Sequence, residues 1–375
     1  MTRRKVFVHI GLPGTGAAFV EQALLTHAAG LAAVGVDVAA TSTEEMLRVA
    51  LEIRRDHKEW GYQRCEVEGT WSEMCRRIFR LKGTVVVSQE LLAAADASQA
   101  ALFLDGLAGR EVHLILTARD PGTQVAAGWE EAIKSGDSVS FGRFHSRIMD
   151  PEREHAQARR FWNAQDLVEV LERWGGQVKP ERVHVIAVPQ EADPRPAVWA
   201  ALCEIVGFDA AGFAPDVARA SQPTLGTTEV AVLRGVNEAI DGRIEGQLRR
   251  TVVKRYFADR VLGDSVGPTT ATPPELYDDL LVRAETWHKF IANAGYDVRG
   301  RLDDLLPRTP ERSAISPDDV PVDERLQTTT HALANVLVEV ARLREHNEKL
   351  EIRNAKLEKK RKKLKRRLAA SELTR

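Results

Sequence analysis

The segment from Val6 to Phe19, V-F-V-H-I-G-L-P-G-T-G-A-A-F, constrains the fold of this chain more than any other. An apolar strand runs into a turn rich in Gly and Pro, and a helix leaves it. Such a turn aims backbone N–H groups and a helix N-terminus at one point, which makes an anion site suited to a phosphate or sulfate ester. A phosphate loop normally supplements those backbone donors with a Lys and one or two hydroxyls. The positions that would carry them here are Gly14, Ala17 and Ala18.

The strand-then-helix pattern repeats. Apolar runs at 6–10, 84–88, 112–117 and 183–188 are followed by helical patterns at 17–29, 90–108, 123–134 and 195–206. Strands this apolar, each followed by a helix, predict a doubly wound α/β domain whose mostly parallel sheet is covered on both faces. Ligands of such sheets bind beyond the carboxyl ends of the strands, which puts the turn 11–16, residues 88–90, Arg119 and Pro189 at one rim. Residues 207–305 read as helices carrying Trp287 and Phe290, with no further strand. Pro307, Pro310, Pro317 and Pro321 then punctuate a polar stretch, 308–325, which reads as a linker too poor in apolar residues to bury anything. The expected organisation is an α/β domain over 1–307, this linker, and a separate helical element over 326–375.

That last element carries apolar residues in heptads. Val336, Leu343, Leu350, Leu357 and Leu364 occupy one seam position, and Leu333, Val340, Asn347, Asn354, Arg361 and Leu368 the other. Leu at one position with Asn at the other is the pattern of a parallel two-stranded coiled coil, so a homodimer through 333–368 is expected, a lone solvated helix being the alternative. The net charge of −1 over 375 residues hides an asymmetry: residues 342–375 carry about +9 and the remainder about −10. The basic run 359–367 either contacts an anionic polymer, a membrane surface or the acidic body, or is a solvated end.

Cys65, Cys75 and Cys203 form no CxxC pair and lie in no His-rich setting, so neither a metal site nor a disulfide framework is indicated and a reducing cytoplasm is expected. The run Thr2-Arg3-Arg4-Lys5 precedes only five apolar residues before Gly11 and Pro13, too short for an export signal, and no stretch approaches the ~20 apolar residues of a membrane span.

Val8-His9-Ile10-Gly11-Leu12-Pro13 with Thr15-Gly16, together with Leu116-Thr117-Ala118-Arg119-Asp120-Pro121, resembles the sulfotransferase family that uses 3′-phosphoadenosine 5′-phosphosulfate (PAPS), most closely its actinobacterial members. Trp129-Glu130-Glu131 with Lys134, Ala164-Gln165-Asp166-Leu167, the strand 183–189 and Asp303-Asp304-Leu305-Leu306-Pro307 add to the resemblance, which spans about residues 5–307. It implies that the loop Gly11, Pro13, Gly14, Thr15, Gly16, Ala17 and Ala18 cradles the 5′-phosphosulfate, that Arg119 holds the 3′-phosphate, and that Phe19 stacks on adenine. Where the family has a Lys, a Thr pair and a Ser, this chain has Gly14, Ala17-Ala18 and Ala127.

Sulfuryl transfer builds negative charge on the bridging oxygen of the leaving phosphate, and a preorganised cation there is worth ~3–4 kcal/mol. Turnover therefore requires a replacement cation, whereas nucleotide binding survives on backbone N–H groups and Arg119. Glu90 sits where the family places a general base for the acceptor hydroxyl, although an acid in the first turn of a helix is also ordinary helix chemistry. His9 and His113 fall inside strands and read as core histidines. Arg119 is either a phosphate ligand or the ion-pair partner of Asp120 or another acid, and Lys134 either the replacement cation or a surface lysine. A dinucleotide site built on Gly14-Thr15-Gly16 with Asp37 lacks its third glycine, which is Phe19, and a Walker-type NTPase lacks its Lys-Ser/Thr pair. Two readings stand: a PAPS-dependent sulfotransferase acting on a hydroxyl of a small molecule or glycan, or a catalytically inactive nucleotide-binding or scaffold protein acting through a dimeric basic coil.

Overall fold

The computed structural model describes residues 4–191, 193–215, 224–263, 269–310 and 316–372, with side chains described as far as 364. Thr2 and Arg3, linker residues 311–315, and the side chains of Lys365, Arg366, Arg367 and Leu368 lie outside that description. The chain runs β1 (Lys5–His9), α1 (Ala17–Ala33), β2 (Val36–Val38), α2 (Thr43–Arg54), α3 (Arg64–Val67), α4 (Thr70–Arg80) and β3 (Thr84–Ser88). A 3₁₀ turn (Glu90–Ala94) leads to α5 (Ala97–Asp105), β4 (Glu111–Ala118), α6 (Pro121–Lys134), α7 (Phe141–Ile148), α8 (Ala156–Gln165), α9 (Leu167–Gly175), β5 (Val183–Ala187) and α10 (Arg195–Val206). There follow α11 (Thr227–Ile240), α12 (Gly246–Leu248), a π-helix (Arg249–Leu262), α13 (Tyr277–Ala294), β6 (Asp297–Arg299) and α14 (Val322–Glu372).

One six-stranded, all-parallel sheet forms in the order β2-β3-β1-β4-β5-β6. Strand alternation divides the apolar residues between two cores. Val6, Val8, Val85, Val87, Leu114 and Leu116 join one with α2, α4, α5, α6 and α9, and Phe7, Val86, Ile115 and Ile186 join the other with α1 and α10. Burial on both faces explains why these strands read as continuous apolar runs. β1 lies between β3 and β4, not beside β2, so the order differs from that of a dinucleotide-binding sheet. Asp37, the acid that reading needed, instead accepts from Gly83 N at 3.3 Å.

The structure corrects several sequence expectations. A strand does occur beyond residue 207: β6 pairs with β5, but three residues are too few to show a period. The helix expected over 90–108 is two elements, because Ala95 is extended and Asp96 with Gln99 forms a capping box that starts α5 anew. The linker does bury residues: Val320 is 5 % exposed, and both carboxylate oxygens of Asp318 accept from the Phe141 and Gly142 N–H groups (3.0 and 2.8 Å) at the start of α7. His113 is a core histidine as expected, in a chain Glu111–His113–His184–Asp297 that ties the starts of β4, β5 and β6 together.

Helix α14 begins against the body, with Ala332 buried and Val336 packed on the main core beside α11 and the π-helix. Leu343, Leu350, Leu357 and Leu364 continue the same heptad position and are 40–57 % exposed. Among the described residues no helix is long and apolar enough to cross a membrane.

Candidate nucleotide site at the carboxyl end of the sheet

The loop after β1 is held from beneath by a chain of side chains on the α1-facing side of the sheet. The Thr15 hydroxyl donates to Leu12 O at 2.6 Å, so at its 2.7 Å contact with Thr117 it must accept the Thr117 proton. Thr117 Oγ1 in turn accepts from His9 Nε2 (3.3 Å), which leaves His9 Nδ1 to accept from Ser88 at 2.8 Å. His9 is fully buried, and desolvation lowers its pKa to about 4, which keeps it neutral in this role. The Thr15 N–H also bonds back to Leu12 O at 3.2 Å. Thr15 is therefore committed to shaping the loop through both its N–H and its hydroxyl, which corrects the cradling role that the resemblance implies for it.

Glycine is required at three positions. A Cβ on Gly11 would fall 2.5 Å from both Ala17 Cβ and Thr117 Oγ1, so only glycine lets the start of α1 close over the strand end. Gly14 and Gly16 have φ of +84° and +90°, the left-handed region that aligns neighbouring N–H groups into a nest. Among the described residues a Cβ on Gly16 would meet nothing within 4 Å, so the nest opens outward. Gly16 caps α1 without a side-chain acceptor, leaving the N–H groups of Ala17 and Ala18 in an unsatisfied first turn. Pro13 O is pinned by Gln165 Nε2 at 3.0 Å. A Cβ on Gly14 would lie 3.5 Å from Ala127 Cβ, so the two positions where the resemblance puts Lys and Ser face each other.

Cations gather on one side of this loop. Arg119 donates to Gly14 O at 3.3 Å. Burial lowers its pKa and Asp120 opposes that, while Arg308 lowers it further, which shows two guanidinium groups sharing one neighbourhood. Arg308 is fixed by bonds to Gln190 Oε1 (3.1 Å) and Gln190 O. Asp120 is not the partner of Arg119: both of its oxygens cap α6, accepting from Thr123 N (2.8 Å) and Thr123 Oγ1 (2.7 Å).

Two carboxylates that influence each other lie after β3 and in α1. Glu90, at the start of the 3₁₀ turn after β3, has its pKa raised to about 7 by burial and by Glu131, with Lys254 opposing. Glu21, one turn into α1 and 8 % exposed, is raised to about 8 by burial and by Glu90, and its Oε1 has no hydrogen-bond partner among the described residues. Gln89 Nε2 approaches its other oxygen at 3.4 Å.

Two expectations fail here. Phe19 is 3 % exposed in the core under α1, with the Arg195 guanidinium 5.8 Å from its ring centroid, so it offers no face to a base. Lys134 is neither a surface lysine nor a replacement cation in the cleft: it is 5 % exposed, 2.8 Å from Glu130 and 3.6 Å from Asp259. The structure does bring together Gly11, Pro13, Gly14, Gly16, Ala17, Ala18 and Arg119 at the rim. It adds Glu21, Arg308 and Lys254. Glu21 could have been found as a lone acid in the apolar run 19–25, whereas Arg308 and Lys254 left no local signal. Comparison with protein-family models, with curated proteins and with solved structures finds no match to this chain.

Proposed function

We propose that the rim binds a 3′-phosphorylated adenine nucleotide and that the protein transfers the sulfuryl group of PAPS to a hydroxyl of a small molecule or glycan. One observation carries the reading: the left-handed Gly14 and Gly16 lead into the start of α1, which has no side-chain cap, and Arg119, with Arg308 in its neighbourhood, reaches the same turn at Gly14 O. A phosphosulfate would take its hydrogen bonds from the nest, as anions do at helix N-termini, and the 3′-phosphate would meet Arg119 and Arg308. Glu90 would accept the acceptor proton, for which a pKa near the working pH is best. The adenine platform implied by the resemblance is not supplied by Phe19 and must come from another surface. Titration of the full chain with 3′-phosphoadenosine 5′-phosphate (PAP) tests the reading: micromolar binding is expected, and none at millimolar ligand would end it.

The second reading, a catalytically inactive nucleotide-binding protein working through its coil, is favoured by Gly14, Ala17 and Ala18, which add no side-chain donor. Both readings use α14 as a parallel dimer. Its exposed Leu343, Leu350, Leu357 and Leu364 continue a stripe whose first member, Val336, is already packed, so a second copy is the complementary cover. Light scattering should give a mass of two chains, and Leu350→Asp with Leu357→Asp should give one without loss of PAP binding. The basic residues Lys359–Lys363, doubled in such a dimer, would then present an anion-binding end in the cytoplasm.

A further inference from the structure

The sulfuryl-transfer reading, on which this inference rests, demands a cation that the loop does not carry. A lysine at position 14 would have to adopt φ +84°, a backbone conformation that side chains rarely take, so this loop is poorly built to host one. The structure shows where another comes from. The π-helix Arg249–Leu262 is tied at one end to the α2 side, where Arg250 reaches Tyr62 Oη at 2.9 Å and Glu44 at 3.6 Å. It is tied to α6 by the ion pair Lys254–Glu131 and by Asp259, 3.6 Å from Lys134. Since α2 follows β2 and α6 follows β4, the π-helix joins the helices that follow the strands on either side of the β3–β1 pair. Fourteen residues in π geometry are far longer than the single-turn bulges in which that geometry usually occurs, often at functional sites.

Lys254 lies on this helix. It pairs with Glu131, acts electrostatically on Glu90, and its side chain is 22 % exposed. Glu131 stands one turn beyond Ala127 on the same face of α6, and Ala127 faces Gly14. Lys254 thus borders, from the opposite wall, the gap in which the loop lysine is missing.

We propose that Lys254 is the catalytic cation of this protein. In the reaction the bond between sulfur and the bridging oxygen breaks and leaves its electron pair on the 5′-phosphate. The acceptor oxygen forms the new bond to sulfur, and its proton passes to Glu90. Lys254 leaves Glu131 and neutralises the phosphate oxygen as its charge grows, while the freed Glu131 raises the basicity of Glu90.

The test follows hydrolysis of PAPS without acceptor, where water takes the sulfuryl group and the products are sulfate and PAP, beside calorimetric PAP binding, using the full chain. Lys254→Ala is expected to bind PAP within about twofold of wild type, to hydrolyse PAPS about 10²-fold more slowly, and to regain rate with added methylammonium. Hydrolysis by Lys254→Ala at the wild-type rate, or no rescue by methylammonium, overturns the assignment, and so does a wild-type protein that binds PAP but never hydrolyses PAPS. In each of those cases retained PAP binding leaves the nucleotide site standing; absence of PAP binding removes the nucleotide site and Lys254's role with it.

Discussion

Replacing Glu21 by Gln should stabilise the protein above pH 7 and leave it unchanged near pH 5. In the unfolded chain Glu21 ionises with an ordinary pKa of 4.5, whereas the fold raises it to about 8. Between those values the folded state holds the extra proton, so stability falls as pH rises through the interval. A displacement of that size corresponds to ~5 kcal/mol at the alkaline end. Glutamine keeps the shape and the acceptor facing Gln89 and removes the charge that repels Glu90, so a gain of ~1–3 kcal/mol at pH 8–9 is expected. Urea unfolding of both proteins across pH 5–9 is the measurement, and a difference that stays constant with pH would refute it.

The same titration carries its own control on the acid side. His9 is fully buried, and its pKa is lowered from 6.5 to about 4, so the unfolded chain binds the extra proton in that range. Its contribution is complete above pH 6.5 and is lost as pH falls toward 4, ~3 kcal/mol in all. The two effects bracket a stability maximum between them. The burial of His9 is met by its bonds to Ser88 and Thr117, whereas Glu21 is buried beside the apolar Val20 and Leu24 with one carboxylate oxygen unpartnered among the described residues.

How much of this was legible in the sequence depends on the distance over which each feature is encoded. The central strands and their following helices were readable because a parallel sheet buried on both faces writes itself as contiguous apolar runs, and α10 falls over the same residues, 195–206, as expected. The loop was readable because Gly14 and Gly16 need conformations that other residues avoid. Phe19 was misplaced because sequence alone cannot say which face of α1 meets the sheet, and Lys134 because Asp259, which joins its i,i+4 neighbour Glu130 around it, comes from the distant π-helix. Arg308 was invisible for the same reason in stronger form: its two bonds are to Gln190, 118 residues away. Side chains that bind through long-range contacts leave no period and no motif.

Arg119 and Arg308 provide the largest expected effect on binding. If they hold a 3′-phosphate, Arg119→Ala should weaken PAP by ~10–100-fold, the loss of one charge-assisted bidentate contact worth ~1.5–3 kcal/mol. Arg308 is solvent-exposed and already bonded to Gln190, so Arg308→Ala should cost less, about fivefold, with a steeper loss at low salt. The double variant should fall short of the product of the two, because neighbouring guanidiniums that repel each other do not contribute independently. Adenosine 5′-monophosphate, which lacks the 3′-phosphate, separates recognition from support of the loop. Arg119 also holds Gly14 O, and if that contact were its whole role both nucleotides would weaken alike. Loss confined to PAP in calorimetric titrations places the 3′-phosphate on these two arginines, and equal loss for both nucleotides reduces Arg119 to a brace for the loop.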